Sequence, residues 1–468
     1  MAQERGQFSS RLGFILAAAG SAVGLGNLVA FPVMASKNGG AAFLIIYLFF
    51  IAFICYPVMM AEIAMGRKTT RNPVGAFSEL SDGKLRWRLA GILAIVTPFM
   101  IAVFYTVITV WLVVYIKETL SGNLNQLAND ATFGEVVARP SLFGYLVVLL
   151  GVIFFILLGG VKGGIERLAR VLMPTLAVML VLLTVFVLTL DNASVGVRYY
   201  LVPDFSRINL SVINGALSQA FFSLSLGMGI LITYGSYFSR DDNIPQSTRM
   251  VAMADTSIAF FAGLLILPAI FAFDPNTNTD DLSTSSVGLI FSFLPKIFLS
   301  MQVAVGYTGA SVVATIFFTL VFFAALTSLV SIIEIPIACW IDELNFSRRK
   351  AVAMQACLLT LFAIPATMSL GISDFFTNFT SYGGVTKSFF DLVSDVFYET
   401  ILPFVGFTVC IFCAYEWKFK GLKEELQLGD SAFSGSRLEK YLSFSLGTVI
   451  PAVLLIVFIS TVSQIYFS

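Results

Sequence analysis

The chain alternates between long apolar runs and short breaks that carry charge, proline or glycine. A helix needs about 20 mostly apolar residues to cross a bilayer. Eleven stretches reach that length, near 11–35, 41–66, 89–117, 141–159, 167–190, 213–238, 249–273, 307–341, 350–369, 389–415 and 441–465. They are numbered here as spans 1 to 11. No small-residue cleavage site follows the first, and the second begins almost at once, so span 1 reads as a membrane span and not as a removed signal. The longest interval, about 274–306, holds Asp274, Pro275, Asp280, Asp281 and Pro295. Within it, 287–301 is apolar but too short to span, and predicts a hairpin of short helices capping one face. The pattern predicts an all-α polytopic membrane protein with one membrane domain over 1–468.

Two spans are interrupted in the same way. Span 1 contains Ser21-Ala22-Val23-Gly24-Leu25-Gly26-Asn27, and span 6 contains Ser223-Leu224-Ser225-Leu226-Gly227-Met228-Gly229. Each pairs two glycines with hydroxyls one turn earlier. Glycine in a helix interior costs about 1 kcal/mol against alanine, and backbone that leaves the helix inside a bilayer must find polar partners or line a cavity. A single such site is explained by close helix packing. Two, five spans apart, predict inverted five-helix repeats, about 11–190 and about 213–415, with 441–465 as an additional helix. Paired interruptions of this kind point to a binding site at the bilayer midplane, where helices 1 and 6 unwind.

Charge sets the orientation. Of the 28 Lys and Arg residues, 21 fall in the N-terminal segment and the loops on its side of the membrane, and 7 on the other. Basic loops stay in the cytoplasm, so the N-terminus is expected inside, and an odd span count puts the C-terminus outside. Composition narrows the chemistry further. The chain is 57% hydrophobic and 12% charged, against about 25% charged in soluble domains. Its net charge is zero, which gives no basis for nucleic-acid binding. It has no histidine, which removes histidine-based catalysis and histidine metal sites. The cysteines Cys55, Cys339, Cys357, Cys410 and Cys413 lie in apolar runs, not in outer loops suited to a disulfide. Instead Asn27, Glu62, Gln219, Ser223, Asp255, Thr327, Ser328 and Glu334 sit within apolar helices. Intramembrane ionisable groups are functional candidates by default, and hard oxygen donors suit an alkali cation.

These residues also carry a resemblance. Arg11 through Asn27 followed by Phe31-Pro32, Asn38-Gly39-Gly40, Pro57 through Glu62-x-x-Met65-Gly66-Arg67, Gln219 to Gly229, and Leu326-Thr327-Ser328 keep order and spacing over essentially the whole chain. The sequence resembles the neurotransmitter:sodium symporters, and is similar to bacterial members such as the bacterial leucine transporter. The resemblance implies sodium-driven secondary transport by alternating access in a bacterial inner (cell) membrane. It implies one sodium site at Ala22, Asn27, Ser223 and Asp255 with the substrate carboxylate, and a second at Gly20, Val23, Ala324, Thr327 and Ser328. The implied substrate pocket comprises Ser21, Ala22, Gly24, Gly26, Ile101, Tyr105, Phe222, Ser223, Ser225, Met228, Ser328 and Ile332. Amine carriers of the family have aspartate where Gly24 stands, so glycine implies an amino-acid substrate whose carboxylate takes that space. Ile101, Phe222, Met228 and Ile332 make the side-chain end apolar, which suits several hydrophobic or aromatic amino acids.

Chloride-dependent relatives bind chloride among Tyr47, Gln219, Ser223 and nearby hydroxyls. Asp255 supplies a fixed negative charge there, so chloride independence is expected, with proton counter-transport if Asp255 protonates on the return. Arg5, Ser236, Tyr237 and Asp342 match the family's cytoplasmic gate, implying an Arg5–Asp342 pair over Tyr237. The outer side departs from the pattern: Ala30 replaces the usual arginine, and Ser394 the usual acid, with Asp395 one residue further. That departure leaves room for a sodium-dependent amino-acid-binding sensor of the same fold, or for a different small zwitterion. A channel would need a continuous polar lining, and these polar residues cluster at one depth. An intramembrane enzyme lacks any paired-acid or histidine pattern.

Overall fold

The structure is a computed structural model and describes residues 8–273, 291 and 294–467. Among these, eight helices are long and apolar enough to cross a bilayer, and ten if two bent pairs are each one span. The eight correspond to spans 2, 3, 5 and 7 through 11; the bent pairs, Arg11–Ala22 with Gly26–Lys37 and Ala131–Val137 with Leu142–Leu158, correspond to spans 1 and 4. Span 6 forms two separate pieces, Leu210–Ser223 and Ile230–Gly235. Spans 3 (Leu85–Leu120) and 8 (Gln302–Leu344) run together through the centre, with 78% of each apolar window buried, whereas Val449–Tyr466 is only 22% buried and lies at the periphery.

Two departures from the sequence pattern have a backbone reason, the start of span 5 and a hairpin between spans 9 and 10. Span 5 begins at Val161 and not near 167, because the chain reverses over Gly159-Gly160, with Gly160 at φ 70°. The bare Cα of Gly164 then packs on the Ile156 carbonyl, a spot no side chain could share. In span 8, Gly306 (φ 72°, ψ 165°) separates a short helical turn beginning at Gln302 from the straight helix, which starts at the expected place. Between spans 9 and 10 the all-helical expectation fails locally. Thr380–Tyr382 pairs antiparallel with Val385–Lys387, because Gly383 and Gly384 (φ 56° and 71°) make the left-handed two-residue turn that hairpins require. In the interval 274–306, Leu294–Ser300 is a short helix; apart from it, Phe291 and the start of span 8, the expected capping hairpin lies outside the described residues.

Small residues set how closely the helices around the break approach. A Cβ on Gly235 would stand 2.9 Å from the Ile63 Cα, and one on Gly66 would stand 2.8 Å from the backbone nitrogen of Ser236. The crossing of span 2 (Tyr56–Thr69 in this half) with Ile230–Gly235 is thus a backbone-to-backbone contact. Backbone cannot swing away as a side chain can, so Gly235→Ala should cost about 1–3 kcal/mol. A thermal melt of the purified protein against wild type, with the exposed Gly144→Ala as control, measures this.

Candidate substrate and ion site

Span 1 leaves the helix at Val23 (φ −71°, ψ 107°). It resumes through a π-helical turn, Gly26–Ala30, into Phe31–Lys37, and its halves are bent by 51°. In span 6 the interruption passes through Ser225, Gly227 and Gly229, all left-handed (φ 55°, 73° and 66°). Glycine adopts that conformation readily, serine does not. The Ser225 hydroxyl donates to the Ser21 carbonyl (3.3 Å), tying one break to the other.

The backbone groups freed by the breaks find named partners. The Gly24 N–H donates to Asn27 Oδ1 (3.0 Å) and the Leu25 N–H to the Tyr105 hydroxyl (3.0 Å). Gln219 Nε2 donates to the Gly26 carbonyl (2.7 Å), and the Gly227 N–H donates to Glu62 Oε1 (2.8 Å). Ser328 Oγ lies 2.9 Å from the Ser21 carbonyl, 3.1 Å from that of Val23 and 3.5 Å from that of Gly20. One hydroxyl facing three carbonyl oxygens makes an oxygen-rich nest.

A second polar joint lies on the other side of span 1. Asn27 Nδ2 donates to Asp255 Oδ1 (2.7 Å) and to Ser223 Oγ (3.0 Å). Ser223 Oγ donates to Asp255 Oδ2 (2.9 Å), which also lies 3.4 Å from the Tyr47 hydroxyl. All three of Asn27, Ser223 and Asp255 are fully buried. The Asp255 carboxylate therefore stands between the Tyr47 and Ser223 hydroxyls, while Gln219 turns away to span 1.

The expected ion residues are thus partly assembled. Asn27, Ser223 and Asp255 of the first set meet directly, and Ala22 is the last residue of the helix beside them. Of the second set, Gly20, Val23 and Ser328 meet, while the Thr327 hydroxyl points back to its own helix, 3.0 Å from the Ala324 carbonyl. Among the pocket residues, Ile101, Met228 and Ile332 are buried, and the Ser21 hydroxyl is buried with no partner among the described residues. The Phe222 ring closes on Gly26, whose Cβ would stand 3.0 Å away. Gly24 does something the sequence did not suggest. A Cβ there would lie 2.5 Å from Ser328 Oγ and 2.6 Å from the Tyr105 hydroxyl, so the missing side chain lets two hydroxyls reach the break.

Of the expected gate residues, Ser236, Tyr237 and Asp342 lie within the described part of the chain. Asp342 accepts from the Asn72 backbone and side-chain amides (2.8 and 3.0 Å), and Tyr237 donates to Glu334 (3.2 Å), itself paired with Arg348 (2.6 Å). Ser236 bonds back to the Thr233 carbonyl. Arg5 lies outside the described residues, but Phe8 sets its ring against Tyr234 and Tyr237, at 5.7 and 6.2 Å.

Beyond Tyr105 and Phe222 lies a cavity of about 120 Å³, lined by Leu25, Val29, Ala30, Phe104, Ile108, Leu112, Phe291, Phe390, Ser394, Tyr398 and Glu399 as well. Asp395 is turned elsewhere: it accepts from Lys387 (2.9 Å) and Tyr382 (2.8 Å) of the hairpin. Sequence reasoning singled out Glu62 and Gln219 as buried polar groups but gave Glu62 no partner, and it passed over Tyr398 and Glu399. The acid within an apolar span was the available signal for Glu399.

Glu62→Ala would strip the Gly227 N–H of its acceptor in a buried site, at about 1–3 kcal/mol. Glu62→Gln keeps an acceptor oxygen and should retain most of the stability. Thermal unfolding of both variants in the same detergent distinguishes them.

The sequence and the fold have known counterparts. A profile of the sodium:neurotransmitter symporter family matches residues 5–135 and 132–467. An uncharacterised sodium-dependent transporter of Bacillus subtilis, YhdH, is 30% identical over 98% of both chains. One of Methanocaldococcus jannaschii, MJ1319, is 31% identical over 96% of this chain and 89% of its own. The crystal structure of MhsT in complex with L-phenylalanine superposes with a TM-score of 0.84 at 38% identity, covering 98% of this chain and all of that one. The chain belongs to the sodium:neurotransmitter symporter family, a family of sodium-dependent membrane transporters and not of enzymes.

Proposed function

We propose that the protein couples the inward movement of a neutral, hydrophobic or aromatic amino acid to sodium by alternating access. The observation that carries this reading is the meeting of two broken spans with the oxygen groups of Ser328, Asn27, Ser223 and Asp255 around them. An alkali cation needs a nest of hard oxygens, and the carbonyls of Gly20, Ser21 and Val23 with Ser328 provide one. A substrate carboxylate is favoured by N–H groups at half-helix ends. The Ser21 hydroxyl and the Tyr105 hydroxyl stand at the break to meet it, with Ile101, Phe222, Met228, Ile332 and Ser225 around the remainder of the pocket. That MhsT is seen with L-phenylalanine supports an aromatic substrate here.

In this reading span 6, with its two pieces, completes a set of eleven spans in two inverted five-helix repeats plus a last helix. The N-terminus is cytoplasmic, the C-terminus is outside, and the membrane is the bacterial inner (cell) membrane. Two sodium ions bind, at the sets around Asp255 and around Ser328. Chloride is not required, because the Asp255 carboxylate already supplies the negative charge between Tyr47 and Ser223. Protonation of Asp255 after sodium leaves would carry a proton back. On the cytoplasmic side, Phe8 over Tyr237 supports closure by the N-terminal segment, with Arg5 as the partner for Asp342.

Uptake of radiolabelled L-phenylalanine into proteoliposomes tests this. An inward sodium gradient should drive accumulation, potassium should not, and Ser328→Ala should raise the half-saturating sodium concentration about tenfold or more, the loss of one charge-assisted ligand. Replacing chloride with gluconate should leave the rate unchanged; collapse of uptake in gluconate would overturn the role given to Asp255. Binding of phenylalanine with sodium but no accumulation would identify a sensor.

A further inference from the structure

The cavity beyond Tyr105 and Phe222 carries a charge that the transport reading does not use. Its walls are aromatic and aliphatic, and Glu399 is its one ionisable carboxyl. Among the described residues Glu399 has no hydrogen-bond donor and no basic partner. The contrast with its neighbours is sharp: Asp395 is matched by Lys387, Glu62 by the Gly227 N–H, Glu334 by Arg348. An uncompensated carboxylate within a membrane span is costly and marks a function by default.

The backbone places it there. Ser394–Ile401 is a π-helical segment eight residues long. A π-helix has about 4.4 residues per turn, so residues spaced four and five apart share one face. That geometry brings Ser394, Tyr398 and Glu399 onto the cavity together; in an α-helix Glu399 would be turned away from Ser394 by about 140°. Tyr398 in turn sets its ring edge-to-face against Phe222 at 4.5 Å. At Ala30, across the cavity, a methyl group stands where a basic side chain would neutralise the acid. The result is a small chamber lined by the aromatic residues Phe104, Phe222, Phe390 and Tyr398, with Glu399 as the one carboxyl among its lining residues. Aromatic faces attract cations through their quadrupoles, and a carboxylate completes the match.

We propose that Glu399 determines the charge of what this cavity accepts, making it selective for an organic ammonium group on a short apolar stem. The volume of about 120 Å³ suits a group of a few heavy atoms. The cation is either a second small molecule or the outer end of the transported one. This assignment extends past the transport reading and is tested without any transport.

The test is calorimetric titration of the purified full chain in sodium with n-butylammonium, 1-butanol and butyrate, three probes of one shape and three charges. Wild type should bind n-butylammonium at least tenfold more tightly than 1-butanol, and butyrate least. Glu399→Gln should erase the preference, and Ala30→Arg, which places a guanidinium in the same chamber, should do so with the acid intact. Thermal midpoints of both variants without probe establish that they fold. Equal affinity for the amine and the alcohol in wild type, or an undiminished preference in Glu399→Gln, would overturn the proposal. Repeating the titration with saturating L-phenylalanine separates the two sources. Binding that persists assigns the cation to a second molecule, and competition assigns it to the outer end of the transport pocket; in both, Glu399 is the selecting group. A failure here leaves sodium-driven uptake standing, and a failure of uptake leaves this result standing.

Discussion

Backbone N–H and C=O groups cannot be left unpaired in a hydrocarbon environment, and this constraint organises the centre of the molecule. Breaking two helices there frees such groups in the place where water cannot satisfy them. The structure answers with side chains from three other spans, Glu62 from span 2, Tyr105 from span 3 and Ser328 from span 8, while Asp255 from span 7 holds the Asn27 side chain that accepts from the Gly24 N–H. Each of these polar residues would be a liability alone. Together they turn the breaks into a fixed network, and the same oxygens that hold the backbone are the ones a cation can use.

The consequence for function is that binding and conformation share their parts. Ser328 spans the carbonyls of span 1, and Asn27 links span 1 to spans 6 and 7. In the proposed function, an ion that competes for those oxygens would alter the contacts between helices without any separate transmission device. The end near Tyr237 is held by the Arg348–Glu334 ion pair and by rings, and the end near Tyr398 by ring contacts such as Phe222 with Tyr398. Aromatic contacts contribute about 0.5–1.5 kcal/mol beyond their area, and the opening and closing proposed here needs contacts no stronger than that.

Much of this was legible in the residue order. The length of the apolar runs fixed most spans within a few positions, and the paired glycines marked both breaks. Asn27, Ser223, Asp255 and Ser328 were recognisable because polar groups in apolar helices are rare. The misses have physical causes. The β-hairpin at 380–387 depends on two glycines in the left-handed region, a local signal overshadowed by the helices around it. The reversal at Gly160 makes the loop between spans 4 and 5 shorter than the apolar runs suggested. Gly24 was read as space for a carboxylate; that hydroxyls from two distant spans border the space was not legible.

By itself, then, the sequence determined the membrane class, the positions of the spans and the identity of the polar groups at the breaks. Those follow from hydropathy and from glycine's conformational freedom, which are properties of short segments. Only the tertiary structure decided which donor meets which acceptor: that Glu62 serves Gly227, that Asp395 is spent on the hairpin while Glu399 faces the cavity, and that Tyr105 reaches Leu25. These pairings join residues far apart in the chain, and a π-turn or a crossing angle shifts them by a whole helix face. No local pattern encodes that rotation; it is fixed by how the helices pack.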